Sequence, residues 1–229
     1  MLPLFLVTNI EAPELLDQEA HHAHRVLRMK VGEELLTTDG LGRWARCQIT
    51  DSAKQQIKLA VIEQGRELKP EREISVLQAL PKSDRAREAV ELLTASGAEI
   101  IYPWLAARSI GKESAKWQVA AVEASKQSRR FNFPRVAPEV DTRSALEICK
   151  EFEQVLICHE SATVALSQVV KPAKRTLIII GPEGGITDEE LEMFKGVGGQ
   201  VIKLGQPIFR SAHAGMAAVS AVSAIMKVW

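Results

Sequence analysis

The chain has 229 residues, and its 29 lysines and arginines balance 29 aspartates and glutamates, so the formal net charge at pH 7 is zero. Hydrophobic residues make up 46% and charged residues 25%, the composition of a globular protein with a sizeable core. No apolar stretch approaches the roughly 18 residues that span a bilayer, and the N-terminus lacks a basic region and a cleavage site. We therefore expect a cytoplasmic protein.

Cysteines and histidines give no metal or disulfide pattern. Cys47, Cys149 and Cys158 are scattered without Cys-x-x-Cys spacing, and an odd count fits neither a disulfide framework nor a zinc site. Three histidines are clustered at positions 21, 22 and 24, but no second group of cysteines or histidines would complete a metal site. We expect no metal.

The first part of the chain has the pattern of a small β-barrel. Short strands are predicted at 34–38, 43–49 and 57–62, and Asp39-Gly40 is a hairpin turn signal between the first two. Residues 65–73 are charged, contain glycine and proline, and lack apolar periodicity, which is typical of a boundary. We assign residues 1–70 to a first domain.

After the boundary, strands and helices alternate. The sequence predicts a strand at 74–79, a helix at 84–96, a strand at 98–102 and a helix at 114–128. Such alternation is typical of an α/β domain with a mostly parallel sheet. We assign residues 74–229 to this second domain.

Two glycine- and proline-containing loops carry most of the functional information. The β-branched run at 176–180 predicts a strand buried on both faces, and it ends at Gly181-Pro182-Glu183-Gly184-Gly185. Thr187 and Glu190 form a capping-box pattern that begins a helix, and a second strand runs into a loop at 204–210. Two such loops, side by side at one sheet edge, would expose backbone groups to a cofactor. The alternative is that these residues only punctuate strand-to-helix turns.

The usual phosphate-binding signatures are missing. Neither loop contains Gly-x-Gly-x-x-Gly or Gly-Lys-Ser/Thr, which disfavours dinucleotides and nucleoside triphosphates as ligands.

Basic residues concentrate in two segments, 21–30 and 112–135. Local lysines and arginines, and not the net charge, neutralise RNA phosphates. The candidate RNA-binding residues are Arg25, Arg28, Lys126, Arg129 and Arg130. A solvated helix face explains the same pattern equally well.

The chain resembles the RsmE-type methyltransferases of the SPOUT superfamily, which methylate N3 of a uridine in small-subunit ribosomal RNA. The resemblance extends over nearly the whole chain and rests on segments 21–33, 81–85, 123–130, 156–163, 181–191 and 204–210. Segment 81–85 is similar to the family's Lys-Gly-Asp-Arg motif, and 123–130 is similar to Glu-Ala-x-Glu-Gln-Ser-x-Arg, with Lys126 where the family usually has glutamate. Gln206, Pro207, Ala212 and His213 also depart from the family's usual Leu-Gly-Pro-Arg-Ile-Leu-Arg-Thr-Glu-Thr-Ala.

The resemblance implies an α/β protein with an N-terminal PUA-like β-barrel and a C-terminal SPOUT domain that contains a deep trefoil knot. It implies S-adenosyl-L-methionine as cofactor, 16S ribosomal RNA of the small subunit as substrate, and a homodimer built partly on the helix at 211–222. A helix buried against its own sheet explains the small residues of that segment equally well. The cofactor-binding residues that it implies are His159, Glu160, Gly181, Pro182, Glu183, Gly184, Gly185, Leu204, Gly205, Gln206, Ile208, Phe209 and Arg210.

The proposed reaction assigns catalytic roles to Arg210 and Glu183. Attack by N3 requires its proton to leave, and the negative charge that remains on the ring oxygens suits a fixed guanidinium, which we assign to Arg210. A structural salt bridge is the alternative role of Arg210. Glu183 would accept the proton or hold the cofactor's amino group, with His213, solvent or the cofactor's carboxylate as other acceptors.

Two further functions stay open at this point. The altered loop is also compatible with an RNA-binding protein without catalytic activity, or with a SPOUT methyltransferase that acts on another RNA target.

Overall fold

The computed structural model describes residues 2–53 and 55–228, with the side chains of Ser83 and Asp84 left out. The chain forms two compact units. The first unit contains residues 1–69 and 125–133, and the second contains 70–124 and 134–229.

The first unit is built on a five-stranded sheet that forms a nearly closed barrel. Its strand order is β1-β3-β4-β5-β2, in which β1 and β3 are parallel and the other pairs are antiparallel. A π-helical turn at His22–Val26 directly follows helix α1. The elements are β1 Leu4–Leu6, β2 Glu14–Leu16, α1 Asp17–His21, β3 Glu34–Thr38, β4 Arg43–Ser52 and β5 Gln56–Arg66.

The second unit alternates strands and helices. Its elements are β6 Glu73–Ala79, α2 Ser83–Ala95, β7 Ile100–Leu105, α3 Trp117–Ser128, β8 Arg135–Val136, β9 Val140–Asp141, α4 Thr142–Cys149, β10 Gln154–Cys158, α5 Leu166–Val169, β11 Arg175–Ile180, α6 Asp188–Gly196, β12 Gln200–Ile202 and α7 Ser211–Met226. All the strand pairs among them are parallel, in the order β12-β10-β11-β6-β7-β8, with β9 also paired to β7.

Strand β11 shows why this sheet is covered on both faces. Ile178 and Ile180 pack in one apolar cluster with residues of α2 and α7, whereas Leu177 and Ile179 pack in a second cluster with residues of α4 and α6. Because successive side chains of a strand point to opposite faces, a continuous run of mostly β-branched residues is the expected sequence for such a strand. The predicted strand and α/β class are confirmed here.

Predicted elements agree with the structure except at their ends. Helix α2 lies within one residue of its predicted bounds, but the strand predicted at 98–102 is β7, which begins two residues later. The delay has a local cause: Gly97 has φ +95°, and the Ala98 amide still donates to the carbonyl of Leu93 at the end of α2.

The predicted domain ranges are 1–70 and 74–229. Residues 125–133 fall in the second of these ranges, but they cluster with the first compact unit. Phe131 stacks on Trp44 with ring centroids 5.6 Å apart. The side-chain amide of Asn132 donates to the carboxylate of Glu67 at 3.0 Å. Helix α3 therefore ends inside the first unit although it begins in the second.

Throughout residues 2–53 and 55–228, each helix is too short or too polar to cross a bilayer.

Candidate active site

Three loops meet at the carboxyl ends of β10, β11 and β12, which are adjacent in the sheet. Carboxyl ends of neighbouring parallel strands are where α/β folds bind ligands. A pocket of about 510 Å³ opens there, within the range of small-molecule sites. Its lining includes His159, Glu160, Gly181, Pro182, Glu183, Gly185, Leu204, Gly205, Gln206, Ile208, Phe209 and Arg210. The two glycine- and proline-containing loops thus lie side by side, as the sequence predicts.

Gly184 is the one predicted cofactor residue that does not line this pocket. Its carbonyl oxygen instead accepts a hydrogen bond from Arg108 Nη1 at 3.0 Å. The next residue, Gly185, has φ +75°, a left-handed conformation that favours glycine, and its amide donates to the carbonyl of Pro182 at 2.9 Å. The two glycines therefore have different structural roles. Gly184 allows the close contact with Arg108, and Gly185 allows the tight turn.

The helix that follows this loop begins as predicted. Thr187 Oγ1 accepts from the amide of Glu190 at 3.2 Å, and Glu190 Oε2 accepts from the amide of Thr187 at 3.1 Å. This reciprocal pair is a capping box, and it fixes the end of the 181–185 loop at the first turn of α6.

Arg210 lies at the N-cap of α7 and lines the pocket with an exposed side chain. Within the described part of the chain, its guanidinium has no hydrogen-bond or ion-pair partner. Among the described residues, therefore, no carboxylate forms the structural salt bridge that is the alternative role of Arg210. An unpaired guanidinium at a pocket wall keeps all its donors for a ligand.

Ser211 joins the two loops. Its hydroxyl donates to the carbonyl of Gly181 at 2.7 Å and accepts from Gln78 Nε2 at 3.1 Å. Ser211 and Gln78 are both buried. No local sequence signal predicts this connection, because Gln78 lies at the end of a different strand, β6, 133 residues away in the chain.

Glu183 lines the pocket with an exposed carboxylate, and Oε1 accepts from the backbone amide of Lys82 at 3.3 Å. Lys82 is the N-cap residue of α2, so the carboxylate lies where the helix dipole favours negative charge. Arg85, in the first turn of the same helix, also lines the pocket. Glu183 therefore has a structural contact in addition to its predicted role.

The loop after β10 supplies the third wall. His159 Nδ1 and Ser161 Oγ lie 2.8 Å apart, which orients the imidazole ring, and Glu160 is exposed at the pocket wall. His213, considered as an alternative base, does not line the pocket. Its Nε2 lies 3.0 Å from Glu88 Oε1 on the exposed side of α2 and α7.

Cys158, at the end of β10, also lines the pocket, although it was not among the predicted site residues. Burial raises the pKa of its thiol to about 12, so the group is neutral at physiological pH. A neutral thiol is a poor nucleophile. Cys158 therefore forms part of the wall and does not supply a nucleophile. Further lining residues that were not predicted include Arg85, Ile180, Ile186, Lys203, Ser211 and Ala214.

The basic residues predicted to contact RNA differ in exposure within the first unit. Arg25, in the π-helical turn, and Arg28, which has φ +55°, are both exposed. Arg129, just after α3, is partly buried, and its Nη1 donates to the carbonyl of Lys126 in the last turn of that helix. Arg130 is also partly buried.

Lys126, a member of the predicted RNA-binding set, is buried and paired in the first unit. Only 10% of its side chain is exposed, and Nζ lies 2.7 Å from Glu19 Oε1. A buried ammonium that is paired in this way would have to break an ion pair to reach a phosphate. A cluster of basic residues in the sequence cannot show that Lys126 forms an ion pair with Glu19.

In residues 2–53 and 55–228, no group of three or more histidine, cysteine, aspartate or glutamate side chains could hold a metal ion.

Comparison with known proteins agrees with this architecture. Residues 68–223 match the RNA methyltransferase domain, and residues 15–62 match the RNA methyltransferase PUA domain. The chain is 31% identical to ribosomal RNA small subunit methyltransferase E of Mycobacterium bovis, over 92% of this chain and 86% of that protein. It is 30% identical to the Bacillus subtilis protein of the same name, over 93% and 91%.

A solved structure has the same fold. Ribosomal RNA small subunit methyltransferase E from Neisseria gonorrhoeae, bound to S-adenosyl methionine, superposes with a TM-score of 0.88 at 24% identity over 98% of each chain. The protein described here therefore belongs to the RNA methyltransferase family that includes ribosomal RNA small subunit methyltransferase E.

Proposed function

We propose that this protein transfers the methyl group of S-adenosyl-L-methionine to N3 of a specific uridine in 16S ribosomal RNA of the small subunit. The observation that carries the proposal is the pocket in which two glycine- and proline-containing loops meet an unpaired arginine, Arg210, in a chain of the RNA methyltransferase family. The relatives named as small subunit methyltransferases and the cofactor-bound Neisseria gonorrhoeae protein support it.

The chemistry of the pocket fits this cofactor. Its walls combine apolar side chains, such as Leu204, Ile208 and Phe209, with the main chain of Gly181, Gly185 and Gly205. Apolar walls with a few polar groups suit an adenosine. The carboxylate of Glu160 suits the amino group of the cofactor's amino acid part, and Lys203 suits its carboxylate.

When bound, the cofactor supplies an electrophilic methyl group on a sulfonium. The residues of the chain would then have two tasks. Arg210 would stabilise the negative charge that spreads over the uracil oxygens when N3 loses its proton. Glu183 is our choice for the proton acceptor; one of its oxygens accepts from Lys82, which leaves the second for the proton.

Arg210 is tested by replacing it with alanine and with lysine. Removing a charged group that stabilises a developing anion lowers kcat by about 10²–10³-fold. We expect this loss in Arg210→Ala with little change in cofactor affinity, and a partial recovery in Arg210→Lys, which keeps the charge but not the planar fork. The assay is transfer of labelled methyl groups to small subunits that lack the modification. Transfer by Arg210→Ala at the wild-type rate would make this arginine structural.

Cofactor binding separates an enzyme from an RNA-binding protein without activity. Isothermal titration with S-adenosyl-L-methionine should give saturable binding at one site per chain. Absence of both binding and transfer would contradict the proposed enzyme.

We further propose that the first unit binds the RNA, with Arg25 and Arg28 as phosphate contacts. Both side chains are exposed, and the segment matches the PUA domain of RNA methyltransferases. Each phosphate contact contributes to the salt dependence of RNA affinity, so Arg25→Ala and Arg28→Ala should each reduce the slope by about one unit. An unchanged slope in both variants would exclude them from the interface.

The trefoil knot, the homodimer and the cytoplasmic location are proposals of the same kind. The first rests on resemblance and on the three loops that meet at one sheet edge. The second rests on exposed apolar residues of α7 and of the loop before it, Met216, Ile225, Ile208 and Phe209. A crystallographic chain trace tests the knot, and sedimentation tests the dimer, because a monomer has a mass of 25.2 kDa. The location follows from a ribosomal substrate, and fractionation of cells tests it.

A further inference from the structure

The segment between β7 and α3 packs on the glycine loop of the pocket. Arg108 Nη1 donates to the carbonyl of Gly184 at 3.0 Å. A Cβ atom at position 184 would lie 3.2 Å from Arg108 Cβ and 3.5 Å from Arg108 Cδ. The side chain of Arg108 therefore lies directly over the main chain of Gly184, and the absence of a side chain at 184 permits this contact.

A single buried carboxylate holds both partners of this contact. Glu190, which is 3% exposed, accepts at Oε1 from the amide of Ala107 at 2.8 Å and from Thr142 Oγ1 at 3.0 Å. Its Oε2 accepts from the amide and the hydroxyl of Thr187, both at 3.1 Å. Glu190 thus fixes the residue before Arg108 and also the end of the glycine loop.

Besides Arg108, the middle of the glycine loop is held by the Glu183 carboxylate on the Lys82 amide and by the Gly185 amide on the carbonyl of Pro182. Gly184 and Glu183 are exposed, and adjacent glycines lose more conformational freedom on ordering than other residues. Pro182, Glu183 and Gly185 line the pocket, so their positions decide whether the wall is preformed. If the loop has its binding-competent conformation in only a fraction of the molecules, the apparent Kd of the ligand equals the intrinsic Kd divided by that fraction.

We propose that Arg108, held in place by Glu190, is a positioning residue that keeps the 181–185 loop in its binding-competent conformation. Arg108 does not line the pocket, so it acts through Gly184 and not by touching the ligand. Its effect on S-adenosyl-L-methionine rests on the proposed function, whereas its effect on the loop itself does not.

The loop is tested in the unliganded protein by amide hydrogen exchange. Arg108→Ala should speed exchange at residues 183–186 by about three- to tenfold, the range expected for losing one hydrogen bond from a charged donor at an exposed site. Exchange in β11 serves as the internal reference, since global destabilisation would speed both regions. Arg108→Lys keeps the stem and one donor and should recover part of the protection. Arg143→Ala, which removes another exposed arginine, is the matched control and should exchange as the wild type does.

Ligand binding gives the second readout. We expect Arg108→Ala to raise the Kd and the KM for S-adenosyl-L-methionine by about three- to tenfold with kcat changed less than about twofold, because binding is affected and the reacting groups are not. Gly184→Ala should give the same result by displacing Arg108. The effect of Gly184→Ala in the Arg108→Ala background should be smaller than in the wild type, because the shared contact is already lost.

Two results would overturn the proposal. The first is wild-type exchange at 183–186 in Arg108→Ala, and the second is full additivity of Arg108→Ala and Gly184→Ala in the Kd for S-adenosyl-L-methionine. A wild-type protein that fails to bind the cofactor would contradict the proposed function, and the exchange experiment would still decide the role of Arg108.

Discussion

The buried ion pair between Lys126 and Glu19 makes a quantitative prediction for the first unit. Their side chains are 10% and 21% exposed, and the charged atoms are 2.7 Å apart. Glu19 Oε2 has no hydrogen-bond partner among the described residues. Replacing Lys126 by methionine therefore leaves a largely buried carboxylate without its ammonium partner.

The magnitude follows from two opposing contributions. At 2.7 Å and an effective dielectric constant of 20, the attraction is about 6 kcal/mol, and most of it is offset by the desolvation of both groups. Breaking one side of a buried pair costs about 3–5 kcal/mol, and the residual exposure of Glu19 reduces this to about 2–4 kcal/mol. For a chain of this length, the loss corresponds to roughly 4–16 °C in Tm.

A double-mutant cycle measured by thermal and urea unfolding tests this reasoning. Lys126→Met should lose about 2–4 kcal/mol, whereas Lys126→Met combined with Glu19→Leu should regain most of it, because no buried charge remains. The matched control is Arg87→Met, which breaks an ion pair whose side chains are 74% and 41% exposed and should leave the Tm unchanged. A Lys126→Met protein as stable as the wild type would refute the burial argument and reopen the predicted contact with RNA.

Three further predictions concern the second unit. Ser211→Ala removes the donor to the carbonyl of Gly181, and we expect the Kd of the cofactor in titration calorimetry to rise by about three- to tenfold. A Kd equal to that of the wild type would show that this hydrogen bond does not matter for binding. Burial raises the pKa of Cys149 and Cys158 from 9.0 to about 12, so the unfolded thiols ionise first and the free energy of unfolding should fall as pH rises from about 9 towards 12. In a variant with both Cys149→Ser and Cys158→Ser, the free energy of unfolding should fall less steeply with pH. A slope equal to that of the wild type would show that these thiols do not cause the fall. Hydrogen bonds from the first turn of α4 lower the pKa of Asp141, so the cap's contribution is present at neutral pH and is lost as pH falls through the lowered pKa. Asp141→Ala should therefore lower the Tm at pH 7 by more than it does in acid, and an equal lowering of the Tm at both would contradict this origin.

Local signals predicted the elements that form the pocket. The β-branched run gave β11 to within one residue, and the Thr187–Glu190 pair gave the start of α6. Both depend on residues close together in the chain, where periodicity and capping act. Because the strands before the two loops belong to one parallel sheet, the loops were expected at the same sheet edge, and no knowledge of long-range contacts was needed.

Contacts between distant residues were not predictable in the same way. Lys126 and Glu19 are 107 residues apart in sequence, and Arg108 and Gly184 are 76 apart. A basic pattern predicts charge but not its partner, so Lys126 was assigned to RNA although it is buried. Likewise, Gly184 was expected to let the cofactor approach the main chain, and the structure places Arg108 against it.

The boundary of the first unit has a similar explanation. Helical periodicity continues through residue 128 and gives no signal that the last turn of α3 packs with a different unit. The stacking of Phe131 on Trp44 and the hydrogen bonds of Asn132 to Glu67 decide the assignment, and they follow from tertiary structure.

The central claim, methyl transfer to N3 of a uridine in small-subunit RNA, is tested most directly by nucleoside mass spectrometry. Small subunits that lack the modification are incubated with the purified protein and S-adenosyl-L-methionine, and their 16S RNA is digested and mapped. The account predicts 3-methyluridine at one position, formed by the wild type and lost in Arg210→Ala. A methyl group on another atom or another base, or no transfer by a protein that binds the cofactor, would contradict it.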